Sequence, residues 1–138
     1  MSRERVESEL KILAEGGCEA LIAEARWQAG NVGLVVIYRD LPTGGEKLGL
    51  PVKADVIVPV PAGYPAAAID LAGLPADSPL LPRLRGGRNS QGILHVENMV
   101  WRLASYHPHG THAGPWNPSA HGFHTYWGEI LSWLTVID

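Results

Sequence analysis

Val6, Leu10 and Leu13 fall at i, i+4 and i+7, with Glu4 and Glu7 near the start and Gly16-Gly17 after. That spacing predicts an amphipathic helix with a glycine stop. Residues 19–27 then read as a strand, and residues 31–39, rich in valine and isoleucine, as a second. Ala29-Gly30-Asn31 supplies the hairpin turn between them. Residues 41–50 hold Pro42, Gly44-Gly45 and Gly49 and read as a loop. Val52, Ala54, Val56, Val58 and Val60 next alternate with Lys53, Asp55 and Pro59, which predicts a half-buried strand with one apolar face.

Pro61-Ala62-Gly63-Tyr64-Pro65 must turn, and a short apolar stretch, residues 66–74, follows it. Residues 75–89, with three prolines, Gly86-Gly87 and three arginines, read as irregular. Residues 92–104 are apolar and fit one or two short strands or a short helix; the pattern does not choose. Residues 105–115 hold three histidines, two prolines and two glycines and read as a loop. Asn117 then suits an N-cap and Pro118 the first helical position. Phe123, Trp127, Ile130 and Leu134 mark one face of that last helix. Helix, antiparallel strands, irregular stretch and helix make an α+β order.

The 138 residues suit one domain, 1–138, and a hydrophobic fraction of 46% with 18% charged residues supports a packed core. Net charge is −3 without a basic run among aromatics, which argues against nucleic acid as a partner. No apolar stretch reaches the length of a bilayer span, and residues 1–9 lack a signal-peptide core. The expectation is a cytoplasmic domain without a membrane partner. A single cysteine, Cys18, permits neither an internal disulfide nor a cysteine-type zinc site. It reads as a small buried hydrophobe rather than a nucleophile.

Two local motifs carry a resemblance. Val60-Pro61-Ala62-Gly63-Tyr64-Pro65 resembles the Tyr-Pro turn that leaves the third strand of ubiquitin-conjugating (E2) domains. Trp116-Asn117-Pro118 resembles the Trp-x-Pro that opens their helix after the active site. Trp101-x-x-x-Ser105-x-His107, Trp116-x-Pro118, His124 and Trp133-Leu134 together resemble prokaryotic E2 family E, over roughly residues 20 to 135. The resemblance implies an E2 fold: an N-terminal helix, a four-stranded antiparallel meander, an irregular active-site region and a C-terminal helix. It also implies a carrier and transferase of a ubiquitin-like protein in a bacterial conjugation pathway. Its partners would be that protein and an E1-like activating enzyme, with no cofactor.

This sequence departs from E2 enzymes where their chemistry lies. His107-Pro108 is followed by His109 instead of asparagine, and no cysteine occurs after Cys18. Thioester chemistry at the usual place is thus excluded, and an oxyester on serine would have to replace it. A serine hydroxyl needs a base to take its proton. Ser105 with His107 offers both, and residues 105 and 107 share a face if the segment is extended. His109, His112, Trp116 and Tyr64 form the expected neighbourhood of that site, with Ser90 and Thr111 as weaker nucleophiles. Arg83, Arg85 and Arg88 read as a solvated loop or as a docking patch for an acidic partner. Two other readings stay open: a catalytically inactive E2-like binding module, and a small hydrolase using His107, His109 and His112, with His121 and His124, around a metal.

Overall fold

A computed structural model describes residues 2–137. Helix α1 (Ser2–Glu15) precedes strands β1 (Ala20–Trp27), β2 (Val32–Pro42) and β3 (Lys53–Pro59). Strands β4 (Ala72–Pro75), β5 (Ser90–Val96) and β6 (Met99–Ala104) come next, and helix α2 (Phe123–Thr135) follows them. The strands pair antiparallel and close into a barrel in the order β1-β2-β3-β4-β6-β5.

The expected E2 architecture, a four-stranded meander between helices, is therefore incorrect. Residues 92–104, which the pattern left open between strand and helix, belong to the hairpin β5–β6. That hairpin closes the ring on both sides. On one, Arg26 and Trp27 of β1 stand opposite His95 and Leu94. On the other, β4 pairs with β6 from Ala72↔Ala104 to Pro75↔Trp101. Both closures join segments far apart in sequence, and local periodicity carries no signal of such pairing.

Alternation along the strands divides their side chains between two clusters. Val36, Tyr38, Val56, Val58 and Leu74 face the helices and pack with Val6, Leu13, Phe123, Tyr126, Ile130 and Leu134. Val35, Ile37, Ile57, Leu94, Trp101 and Leu103 form a second cluster with no helical residue in it. Strand β3 thus buries Val56, Ile57 and Val58 on both faces, where the sequence pattern suggests one apolar face. Fully burying a side chain such as Ile57 contributes about 1.5–3 kcal/mol.

The second helix also starts later than its sequence suggests. Asn117 and Pro118 do not open it; its first residue is Phe123. The Asn117 carbonyl accepts from the Ala120 and His121 amides, and its side chain accepts from the Ser119 amide, so these residues close a separate turn. The cap of α2 comes instead from α1. Glu9 is buried, and its carboxylate accepts from the Phe123 amide at 3.0 Å. A carboxylate at a helix N-terminus satisfies an otherwise orphaned donor and the positive end of the helix dipole. Gly122 makes the approach possible, because a Cβ there would lie 2.4 Å from Glu9 Oε2. Among the described residues, no helix is long and apolar enough to cross a membrane.

Candidate active site

Strand β6 ends at Ala104, and the chain then alternates: Tyr106 is buried in the core while Ser105 and His107 are only partly buried. The Tyr106 amide donates to the Ala104 carbonyl at 3.0 Å, a γ-turn that puts Ser105 at its apex. The Ser105 amide donates to Gly86 O at 3.0 Å. Gly86 has φ 72, and a Cβ on it would sit 1.9 Å from the Ser105 carbonyl oxygen, so glycine is required there on both counts. The neighbouring carbonyls are held as well: Trp133 Nε1 donates to Arg85 O at 2.8 Å, and Arg102 to Gly87 O at 2.6 Å. The Gly86-Gly87 turn is thereby fixed behind the serine.

On its exposed side, Ser105 Oγ lies 3.1 Å from His107 Nε2. The other ring nitrogen, Nδ1, lies 2.8 Å and 3.0 Å from the two oxygens of Asp70. Hydroxyl, imidazole and carboxylate form one continuous hydrogen-bonded chain. With Nδ1 donating to the carboxylate, Nε2 is left as the acceptor that faces the hydroxyl. Such an order is what a serine nucleophile requires: a base within reach and a third group orienting the base. The His107 and Asp70 side chains remain 40% and 48% exposed, so their contact contributes roughly 0–1 kcal/mol to stability. Its consequence is orientation.

Sequence reasoning found Ser105 and His107 and missed Asp70. The signal was present in a weak form, because Asp70 is the only charged residue between Asp55 and Asp77. A lone carboxylate inside an apolar stretch asks for a partner. What brings it to His107 is the β4–β6 ladder continued by one bond, from the Leu71 amide to Tyr106 O at 2.9 Å. Leu71 adopts φ 69, a left-handed conformation costing about 1–2 kcal/mol for a residue with a Cβ.

The rest of the expected neighbourhood does not join this chain. His109 Nδ1 lies 3.1 Å from Gly114 O, and its ring meets Trp116 edge-on at 5.0 Å. Trp116 Nε1 donates to Pro65 O at 2.8 Å, and the Tyr64 hydroxyl donates to Glu9 at 2.6 Å. Trp116, Tyr64 and Phe123 thus tie the Tyr-Pro turn to α1 and α2. His112 reaches Glu129 at 3.1 Å, and His121 accepts from the Asn117 amide at 2.9 Å. Both His121 and Asn117 precede α2, so His121 and His124 do not lie on one helix. The His109 and His121 rings lie 4.6 Å apart and His124 Nδ1 is buried without a hydrogen-bond partner, but among the described residues no group of three His, Cys, Asp or Glu side chains is arranged to hold a metal ion.

No family model matches the sequence, and no curated protein or solved structure matches it either. The site's chemistry therefore has to be read from its own atoms. Thr111 donates to His107 O at 2.9 Å, and its Oγ1 also lies 3.2 Å from His112 Nδ1, whose Nε2 lies 3.1 Å from Glu129. A second hydroxyl, imidazole and carboxylate thus stand in line beside the first, with the hydroxyl proton engaged by the His107 carbonyl. Ser90 sits in β5, where it pairs with Ala104. Burial pushes the Cys18 thiol above its ordinary pKa, with Glu19 adding to the effect, and this disfavours the thiolate. Burial likewise raises Tyr106 and Tyr126, so both hydroxyls stay protonated donors.

Proposed function

We propose that this protein performs acyl transfer on Ser105, with His107 as the general base and Asp70 as the residue that orients it. The observation that carries the reading is the hydrogen-bonded chain from Ser105 Oγ through His107 to Asp70. Ser105 Oγ attacks the carbonyl of an activated acyl donor while His107 Nε2 takes its proton. The donor's leaving group departs with that proton and leaves an ester on Oγ. An amine then attacks the ester, giving an amide and passing one of its own protons to Ser105 Oγ by way of His107.

A carrier fits the site better than a fast hydrolase. Serine hydrolases direct backbone amides beside the nucleophile at the developing oxyanion, and losing one such donor costs about 10²- to 10³-fold in rate. Here the amides of Ser105 and Tyr106 are both committed to protein carbonyls, Gly86 O and Ala104 O. An ester formed from an already activated donor would then turn over slowly, and an amine, the stronger nucleophile, would take it ahead of water. The donor class implied by the E2-like motifs is the activated C-terminal carboxyl group of a ubiquitin-like protein, delivered by an E1-like enzyme. With the E2 fold set aside and α2 starting at Phe123, that donor rests on the Tyr-Pro turn of residues 60–65, which directly follows β3.

The test has two arms. Small activated esters and a fluorophosphonate probe report whether Ser105 is a nucleophile at all. Incubation with an E1-like enzyme, a ubiquitin-like protein and ATP reports whether a protein is the donor. An adduct that resists thiol reductant, is cleaved by mild alkali and is absent from Ser105→Ala supports the reading. Failure of every donor to modify Ser105 removes it and leaves a binding module.

A further inference from the structure

Asp70 stands on the surface, next to a residue in an unfavourable backbone conformation, and something must hold its carboxylate toward His107. The two peptide units flanking Leu71 are each held by a hydrogen bond. Its amide donates to Tyr106 O at 2.9 Å, and its carbonyl accepts from the Tyr126 hydroxyl at 3.0 Å. Tyr126 is fully buried on α2 and packs in the helix-facing core. Leu71 itself sits at φ 69, between Asp70 and the start of β4. A side chain with a Cβ keeps that conformation only where the surroundings over-determine it. We infer that Tyr126 is a positioning residue for the catalytic chain: its hydroxyl fixes the left-handed Leu71 and thereby aims Asp70 at His107 Nδ1.

The inference rests on the acyl-transfer reading for its consequence in rate, but its geometric content is separate. Its direct readout is the tautomer of neutral His107. Histidine in water favours the proton on Nε2, whereas the Asp70 contact places it on Nδ1. Long-range nitrogen NMR through the carbon-bound ring protons distinguishes the two forms despite solvent exchange. Tyr126→Phe removes one oxygen and keeps the packing ring. Tyr38→Phe is a matched control, since Tyr38 is also fully buried and donates to a backbone carbonyl, but to Phe123 O at 2.6 Å instead of Leu71 O.

The expected result is an Nδ1-protonated His107 in the wild type and in Tyr38→Phe. In Tyr126→Phe it should move toward the Nε2 form shown by Asp70→Ala. Labelling of Ser105 by the fluorophosphonate should fall by between about ten- and a hundredfold in Tyr126→Phe. Tyr38→Phe should label at the wild-type rate. An unchanged tautomer in Tyr126→Phe overturns the inference, as does an equal change in Tyr38→Phe, which would mark a general loosening of the core. A wild-type protein that shows the expected tautomers while Ser105 stays unlabelled would overturn the acyl-transfer reading and leave the positioning intact.

Discussion

Truncating Glu9 tests whether the α1–α2 contact is held by its buried carboxylate. Glu9 is 3% exposed and accepts from the Arg5 guanidinium, the Tyr64 hydroxyl at 2.6 Å and the Phe123 amide at 3.0 Å. Arg5 is partly exposed and also donates to Pro118 O and His121 O, so water and those carbonyls satisfy it when Glu9 is gone. The Tyr64 hydroxyl and the Phe123 amide are buried and would be left without an acceptor. Each such buried, unpaired donor costs about 1–3 kcal/mol. Glu9→Ala should therefore lose about 2–6 kcal/mol, a large part of the 5–15 kcal/mol usual for a domain. Glu9→Gln keeps an oxygen for both donors but sets an amide against Arg5, and should lose about half as much. Urea unfolding followed by circular dichroism and tryptophan fluorescence measures both, and an unchanged slope shows that the denatured state is unaffected. A Glu9→Ala protein within about 0.5 kcal/mol of the wild type, the scatter of ordinary surface substitutions, would refute the reasoning.

Three further outcomes follow from the same geometry. All four tyrosines, Tyr38, Tyr64, Tyr106 and Tyr126, have pKa values raised above the usual phenol value, with burial the largest cause in each. Their contribution is fully present below about pH 10 and is lost as pH rises beyond it, because the unfolded chain releases those protons first, at about 1.4 kcal/mol per pH unit for each tyrosine. Phenolate absorbance should thus rise together with unfolding; four tyrosines ionising near pH 10 in a folded protein would contradict this. Gly86→Ala places a Cβ 1.9 Å from Ser105 O at φ 72 and should cost about 1–3 kcal/mol or more in strain alone. It should also slow Ser105 labelling, read as a lower melting temperature and a lower probe rate. Cys18 is buried with a raised thiol, so native protein should react with iodoacetamide only at the rate of unfolding; prompt alkylation would show an open site.

The sequence by itself determined the local elements. Val6 and Leu13 set the inward face of α1, valine-rich runs set β2 and β3, and Ile130 and Leu134 set the inward face of α2. It also placed Ser105 and His107 two residues apart, where an extended segment turns both the same way; that β6 ends just before them came from the structure. Only the tertiary structure decided the closed barrel, since Arg26 meets His95, and Ala72 meets Ala104, through hydrogen bonds between backbones, which every sequence possesses. The same holds for the third member of the Ser105–His107–Asp70 hydrogen-bonded chain: Asp70 reaches His107 because Leu71 N–H extends the β4–β6 ladder. The start of α2 was likewise set in part from outside its own segment, by Glu9 arriving from α1 at Phe123 beside the local Gly122–Thr125 cap, instead of by Asn117 and Pro118. Periodicity records which side of an element meets the core, but not which distant backbone or carboxylate completes it.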